Sequence, residues 1–179
     1  CQGVFGDEVL YRFFLGGGLL VGPHPRLSPP LMPPAIEQFD FSNYDVVLSD
    51  SSSYAKGVIT RPETLHISYI HTPMRYAWDD CQKYTEDFGF PRFVKKLVPF
   101  FMNPIRLWDR VSADRVDRII ANSNFVAARI KKYYRKDSLV IHPPVEISRF
   151  SISSVQKEYY LMVGRLIAYK RHDIAIEAF

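Results

Sequence analysis

The chain has 179 residues, 47% of them apolar and 23% charged, with a formal charge of +4 and only two cysteines. That balance describes a globular protein long enough to bury a substantial core, and it argues against disorder. Cys1 and Cys81 are too few and too far apart for a disulfide framework or a cysteine-rich zinc site, which fits a reducing cytoplasm. Val9 to Gly22 cannot span a membrane, because the apolar run is short and Arg12 interrupts it. The basic balance favours anionic partners, among them a nucleotide diphosphate, an anionic lipid surface or a nucleic acid.

In chain order, residues 1 to 29 carry no assigned site. Gly16-Gly17-Gly18 follows no clear strand, and its spacing does not match a dinucleotide fingerprint. Six prolines lie between Pro23 and Pro34, so that segment is predicted to be an extended connection without a regular helix. From Asp45 onward short apolar runs alternate with helical or irregular segments, the pattern of a parallel α/β sheet. Strands are predicted at Asp45 to Asp50, His66 to Ile70, Asp117 to Ala121 and Ser138 to His142. Ser123 to Tyr134 reads as a helix, with Val126, Ile130, Tyr133 and Tyr134 on one face and Asn122 or Ser123 as its cap.

The stretch between Gln82 and Arg118 is predicted to hold a basic amphipathic helix from Asn103 to Arg115. Pro91, Pro99 and Pro104 are expected to break what precedes it into short pieces. The domain of residues 1–145 then gives way to a serine-rich linker over 146–157 and a second domain starting at 158. There, Tyr159 to Val163 reads as a strand buried on both faces, ended by Gly164, and His172 to Phe179 reads as a helix. Arg165 and Lys170 fall in the loop between them, where α/β sheets present helix N-termini to anions. A solvated basic surface is the competing reading of that loop.

Four segments, His71-Thr-Pro-Met-Arg-Tyr-Ala-Trp-Asp79, Ile120-Ala-Asn-Ser-Asn-Phe125, Val140-Ile-His-Pro-Pro-Val145 and Gly164-Arg-Leu with Lys170, occur in the order seen in family 4 glycosyltransferases. The chain resembles that family from about Pro30 to Phe179, and most closely the mannosyltransferase-like branch that builds bacterial surface polysaccharides. The resemblance implies a GT-B fold: a Rossmann-like acceptor-side domain followed by the first β-α unit of a truncated nucleotide-sugar domain. It also implies retaining transfer of a hexose from a nucleotide-diphosphate sugar, with GDP-mannose as the family-level candidate, to a saccharide or polyprenyl-linked acceptor, with no cofactor.

Within that resemblance, Gly164, Arg165 and Lys170 would hold the donor diphosphate, and His71, at the carboxyl edge of the first sheet, would be the catalytic candidate facing an interdomain crevice. Arg75 and Tyr76 are acceptor-side candidates. Each has a structural alternative: His71 as a cap or core hydrogen-bonder, and Tyr76 and Trp78 as buried anchors. His142 reads as structural. No Asp-x-Asp triplet occurs, and the neighbouring Asp79 and Asp80 would point apart, so fixed cations rather than a metal are expected to receive the leaving charge. A sugar-nucleotide epimerase shares the architecture. The basic, aromatic segment Phe90 to Met102 also suits an anionic membrane face, while no nucleic-acid motif accompanies the positive charge.

Overall fold

The computed structural model describes residues 31–79, 92–152, 157–166 and 170–179, with residues 92–99 and 101 described by backbone alone. The triple glycine, both cysteines, Asp80 and the ends of the proline-rich and basic segments at residues 1–30 and 80–91 lie outside them. The chain divides into two compact units, Cys1–Pro143 and Pro144–Phe179.

In the first unit, helix α1 (Met32–Glu37) takes up the last part of the proline-rich segment. This corrects the expectation of an extended chain there. Pro33 and Pro34 sit in the first turn, where the missing N–H groups would have had no partner, so they start a helix that they could not have continued. The sheet follows as β1 (Val46–Ser51), β2 (Leu65–Ile70), β3 (Arg118–Ala121) and β4 (Leu139–Val140), all parallel and in the order β1-β2-β3-β4. All four predicted strands are present, the last shortened to two residues. Alternation decides the buried face: Val47, Ser49 and Ser51 of β1 and His66, Ser68 and Ile70 of β2 point into the core.

Among the described residues, Ile36 of α1 packs beside Val47 on that face, and two longer helices cover the rest. Helix α4 (Asn124–Tyr134) is capped by Ser123, whose hydroxyl accepts from the Val126 amide, and it buries Val126, Ile130 and Tyr134 as its periodicity predicts. Helix α3 runs unbroken from Arg92 to Ser112, through Pro99 and Pro104, followed by a 3-10 turn over Ala113–Arg115. The expected fragmentation is therefore corrected. Each proline forfeits one backbone bond, and packing of Met102, Ile105 and Trp108 against the short helix α2 (Arg75–Trp78) outweighs that cost. The face that α3 buries also differs from the apolar one in sequence. Leu107 is 65% exposed, whereas Ile105, Asp109 and Ser112 are buried.

Asp109 explains the choice. Its carboxylate is fully buried and ion-paired to Lys56, which is itself buried in the 3-10 turn Ala55–Gly57. Trp78 Nε1 donates to it at 2.6 Å and the Tyr134 hydroxyl at 2.9 Å, so the carboxylate meets donors from three other elements. Burial pulls the Lys56 pKa down, and Asp109 opposes that pull. The lysine also donates to the Ser53 carbonyl at 3.0 Å and lies 5.3 Å from the Tyr134 ring centre. Next to it, Gly57 passes so close beneath the Trp108 ring that a Cβ would overlap it. Trp108 in turn donates to Glu37 at 2.8 Å, tying α1 to α3.

The second unit contains a 3-10 turn at Ile147–Arg149 and helix α5 (His172–Ala178). Tyr159 to Val163 is not a strand, and its side chains are exposed, against the sequence expectation. A strand buried on both faces needs neighbours for its amides and cover for its side chains, and no such strand lies beside it among the described residues. What organises this unit is local: the Tyr160 and Phe179 rings stack 3.9 Å apart, and Arg171 grips Asp173.

Removing the carboxylate at position 109 leaves a buried ammonium without its counter-ion. Asp109→Ala is expected to lower stability by about 3 to 5 kcal/mol, seen as a shifted midpoint in urea unfolding. His66 gives a pH signature. It is fully buried, with Nε2 2.9 Å from Ser49 Oγ, and burial, opposed by Asp117, takes its pKa from 6.5 to about 4. The unfolded chain therefore binds a proton that the folded one refuses. This contribution is complete above about pH 6.5 and is lost as pH falls toward 4, amounting to about 3 kcal/mol. Urea titrations from pH 7.5 to 4.5 should show that slope, and His66→Asn should flatten it.

Candidate active site

Parallel sheets present ligands at the carboxyl ends of their strands. At that edge of the first unit the strand ends carry a row of polar groups: Asp50 in β1, His71 after β2, Asn122 after β3 and His142 after β4. The row is hydrogen-bonded along its length. His71 Nε2 lies 2.6 Å from Asp50 Oδ1, Asn122 Nδ2 donates to the His71 carbonyl at 3.1 Å, and His142 Nδ1 donates to the Asn122 carbonyl at 3.1 Å. The His71 amide continues the sheet by donating to Ser51 O at 2.9 Å. Asp50 stands in register with Tyr69 on the face away from the core, and the Tyr69 ring meets the His71 ring edge-on, 5.4 Å between centres.

The residues after His71 are held from below. Met74 and Ala77 are fully buried against Met102 and Ile105 of α3. Arg106 donates to the Ala77 carbonyl, and Arg129 of α4 pairs with Asp79 and reaches the Pro73 carbonyl. Trp78 stacks on Tyr133 at 4.8 Å while its indole N–H is engaged with Asp109. Tyr76 is largely buried, with its hydroxyl 2.9 Å from Ser53 Oγ, and burial holds the phenol well above its ordinary pKa. Nearby Tyr54 is pushed up to about 12 for the same reason. Both phenols are therefore neutral hydrogen-bonding groups at any physiological pH. Arg75 lies on the exposed side of α2.

The structure thus brings His71 together with His142 along one edge, and places Arg75 and Tyr76 on the short helix that follows. Gly164, Arg165 and Lys170 belong to the second unit. There Arg165 is exposed, and its carbonyl accepts from His172 Nε2 at 3.1 Å, which joins the loop to the first turn of α5. Gly164 has a negative or extended φ, and a Cβ there would make only ordinary contacts, the nearest 3.7 Å from His172 Nε2. Sequence reading missed Asp50, Lys56, Asp109 and Arg129. For Asp50 the signal was available: it lies at the carboxyl end of the strand neighbouring His71. Among the described residues no group of three or more His, Cys, Asp or Glu side chains is placed to hold a metal ion, and no helix is long and apolar enough to cross a membrane.

A four-stranded parallel sheet with helices on its inner face and a polar row at its carboxyl edge defines a Rossmann-like α/β domain of the GT-B type. The model of Glycosyltransferase Family 4 matches residues 5–149, and the chain belongs to that family. Glycosyl transfer is accordingly the class of reaction. No curated protein and no solved structure gives a match.

Arg129 is the clamp most accessible to test. Arg129→Ala should speed hydrogen exchange at the Ala77, Trp78 and Asp79 amides about tenfold, the scale of one charge-assisted hydrogen bond, while the β1 and β2 amides stay protected.

Proposed function

We propose that the chain moves a hexose, with mannose from GDP-mannose as the first choice, from a nucleotide-diphosphate sugar to a saccharide or polyprenyl-linked acceptor, with retention and without a metal. The observation that carries the reading is the family match over residues 5–149, joined to a histidine held at the carboxyl edge of the matched sheet. Cleaving the bond between anomeric carbon and phosphate oxygen leaves negative charge on the departing diphosphate. In this reading Arg165 offers a planar fork to two phosphate oxygens and Lys170 a compact charge from a flexible stem. Gly164 lets the backbone pass close to the same group. Fixed cations of this kind are worth about 3 to 4 kcal/mol each to a transition state.

His71 serves as a hydrogen-bonding group to the donor sugar at the reaction centre. Arg75 and Tyr76 belong to the acceptor side, Arg75 as the group that meets an anionic acceptor and Tyr76 as the buried hydroxyl behind it. A polyprenyl-linked acceptor would bring the protein to the inner face of the cytoplasmic membrane, and the basic start of α3, with Arg92, Lys95 and Lys96, is the segment proposed to meet it.

Arg165→Ala and Lys170→Ala, in a transfer-competent form of the chain, are each expected to reduce transfer from radiolabelled GDP-mannose at least about a hundredfold. Excess EDTA should leave the wild-type rate unchanged. Near-normal rates in both variants would remove the diphosphate assignment, and loss of activity in EDTA would remove the metal-free mechanism.

A further inference from the structure

The partner of His71 in the first unit is Asp50, and this pair gives the histidine a defined orientation. We propose that Asp50 is a positioning residue: its carboxylate fixes the His71 imidazole with the proton on Nε2, leaving Nδ1 as the acceptor for a hydroxyl of the donor sugar. The proposal rests on the role given to His71 above and specifies which ring atom meets the substrate.

Three observations carry it. A carboxylate offers acceptors only, so a 2.6 Å contact between Asp50 Oδ1 and His71 Nε2 requires the proton to be on Nε2. In a neutral imidazole the other nitrogen is then the acceptor, and among the described residues nothing hydrogen-bonds it. The ring is also held from the sheet side. Its edge contact with Tyr69 is near-perpendicular, at 81°, and the Tyr69 hydroxyl is anchored to the Ile141 carbonyl at 3.1 Å. The backbone of His71 is fixed on both sides, by Ser51 O at its amide and Asn122 Nδ2 at its carbonyl. Rotation about the side-chain bonds is the freedom left, and Asp50 restrains it.

Exposure separates this role from a structural one. His71 is 45% and Asp50 70% exposed, and a pair so open to solvent contributes little to folding. Its contribution rises when a bound substrate displaces the water around it. Variants at Asp50 should therefore fold normally and fail in orientation.

Two measurements test this. In the chain without substrate, long-range proton–nitrogen spectra at pH 8 should show His71 with Nε2 protonated and Nδ1 bare. Asp50→Leu should shift the Nε2 resonance and let the second tautomer appear, whereas Asp50→Asn, which keeps an acceptor oxygen, should preserve the wild-type pattern. A wild-type proton on Nδ1, or resonances unmoved by Asp50→Leu, would overturn the proposal.

In transfer assays Asp50→Leu should lower kcat about tenfold with KM within about twofold, Asp50→Asn should recover most of that loss, and Asp50→Leu should cost nothing further in a His71→Ala background. Additive losses would make Asp50 an independent contributor and defeat the positioning role. If His71→Ala abolishes transfer while Asp50→Leu leaves kcat unchanged, this proposal alone fails. If His71→Ala leaves turnover unchanged, the assignment of His71 fails and takes this proposal with it.

Discussion

The carboxylate of Asp109 is the point on which the first unit is assembled. It is buried on α3, neutralised by Lys56 and hydrogen-bonded by Trp78 and Tyr134, so four separate elements converge on two oxygen atoms. A buried ion pair of this kind is a poor source of net stability, since desolvating both charges costs about as much as their attraction returns. What it supplies is definition. An apolar contact tolerates sliding and rotation, whereas a carboxylate whose oxygens are all engaged accepts one arrangement of its donors. Here that arrangement sets the depth of α2, the rotation of α3 and the last turn of α4 together.

The segment that carries the candidate chemistry hangs between this buried anchor and the open edge of the sheet. From Met74 to Trp78 it is packed, stacked and hydrogen-bonded to α3 and α4. Three residues earlier, at His71, the imidazole is hydrogen-bonded by a carboxylate in solvent and touched edge-on by the Tyr69 ring. Rigidity below and openness above suit the role proposed for His71: the backbone is fixed in advance, and the side chain is restrained by an interaction open to solvent. In the second unit, taken by itself, the Arg165 carbonyl is tied to the first turn of α5 while the Arg165 side chain is exposed, a similar division between fixed backbone and open side chain.

Much of this architecture was legible because periodicity reports burial. The strands are short apolar runs, α4 repeats its apolar face every three to four residues, and Ser123 marks the start of that helix, so sheet, helix and His71 at the sheet edge all follow from local patterns. What escaped did so because it violates those patterns. Asp109 and Lys56 are charged residues at core positions, and only their pairing across 53 residues of sequence makes that tolerable. Pro99 and Pro104 stop a helix in isolation, and only tertiary packing overrides them. Tyr159 to Val163 shows the opposite failure: a sequence shaped for the middle of a sheet has no sheet around it among the described residues, so its local preference goes unrealised. Asp50 was missed because its significance depends on which residue lies beside it on another strand.

The serine and histidine on the core face of the sheet also settle how the strands align. A shift of β2 against β1 by one residue would turn the buried His66, Ser68 and Ile70 outward and break their interior contacts. A shift by two keeps every side chain on its proper face, and an all-aliphatic strand would scarcely register the change. Here the fully buried His66, level with Val47, reaches Ser49 Oγ two residues further along β1, and a slide that moves it toward Asp45 would break that contact in the interior. The pair thus helps to hold the observed alignment. That same alignment sets Asp50 level with Tyr69, and so beside His71. The buried face in this way governs which groups meet on the open one.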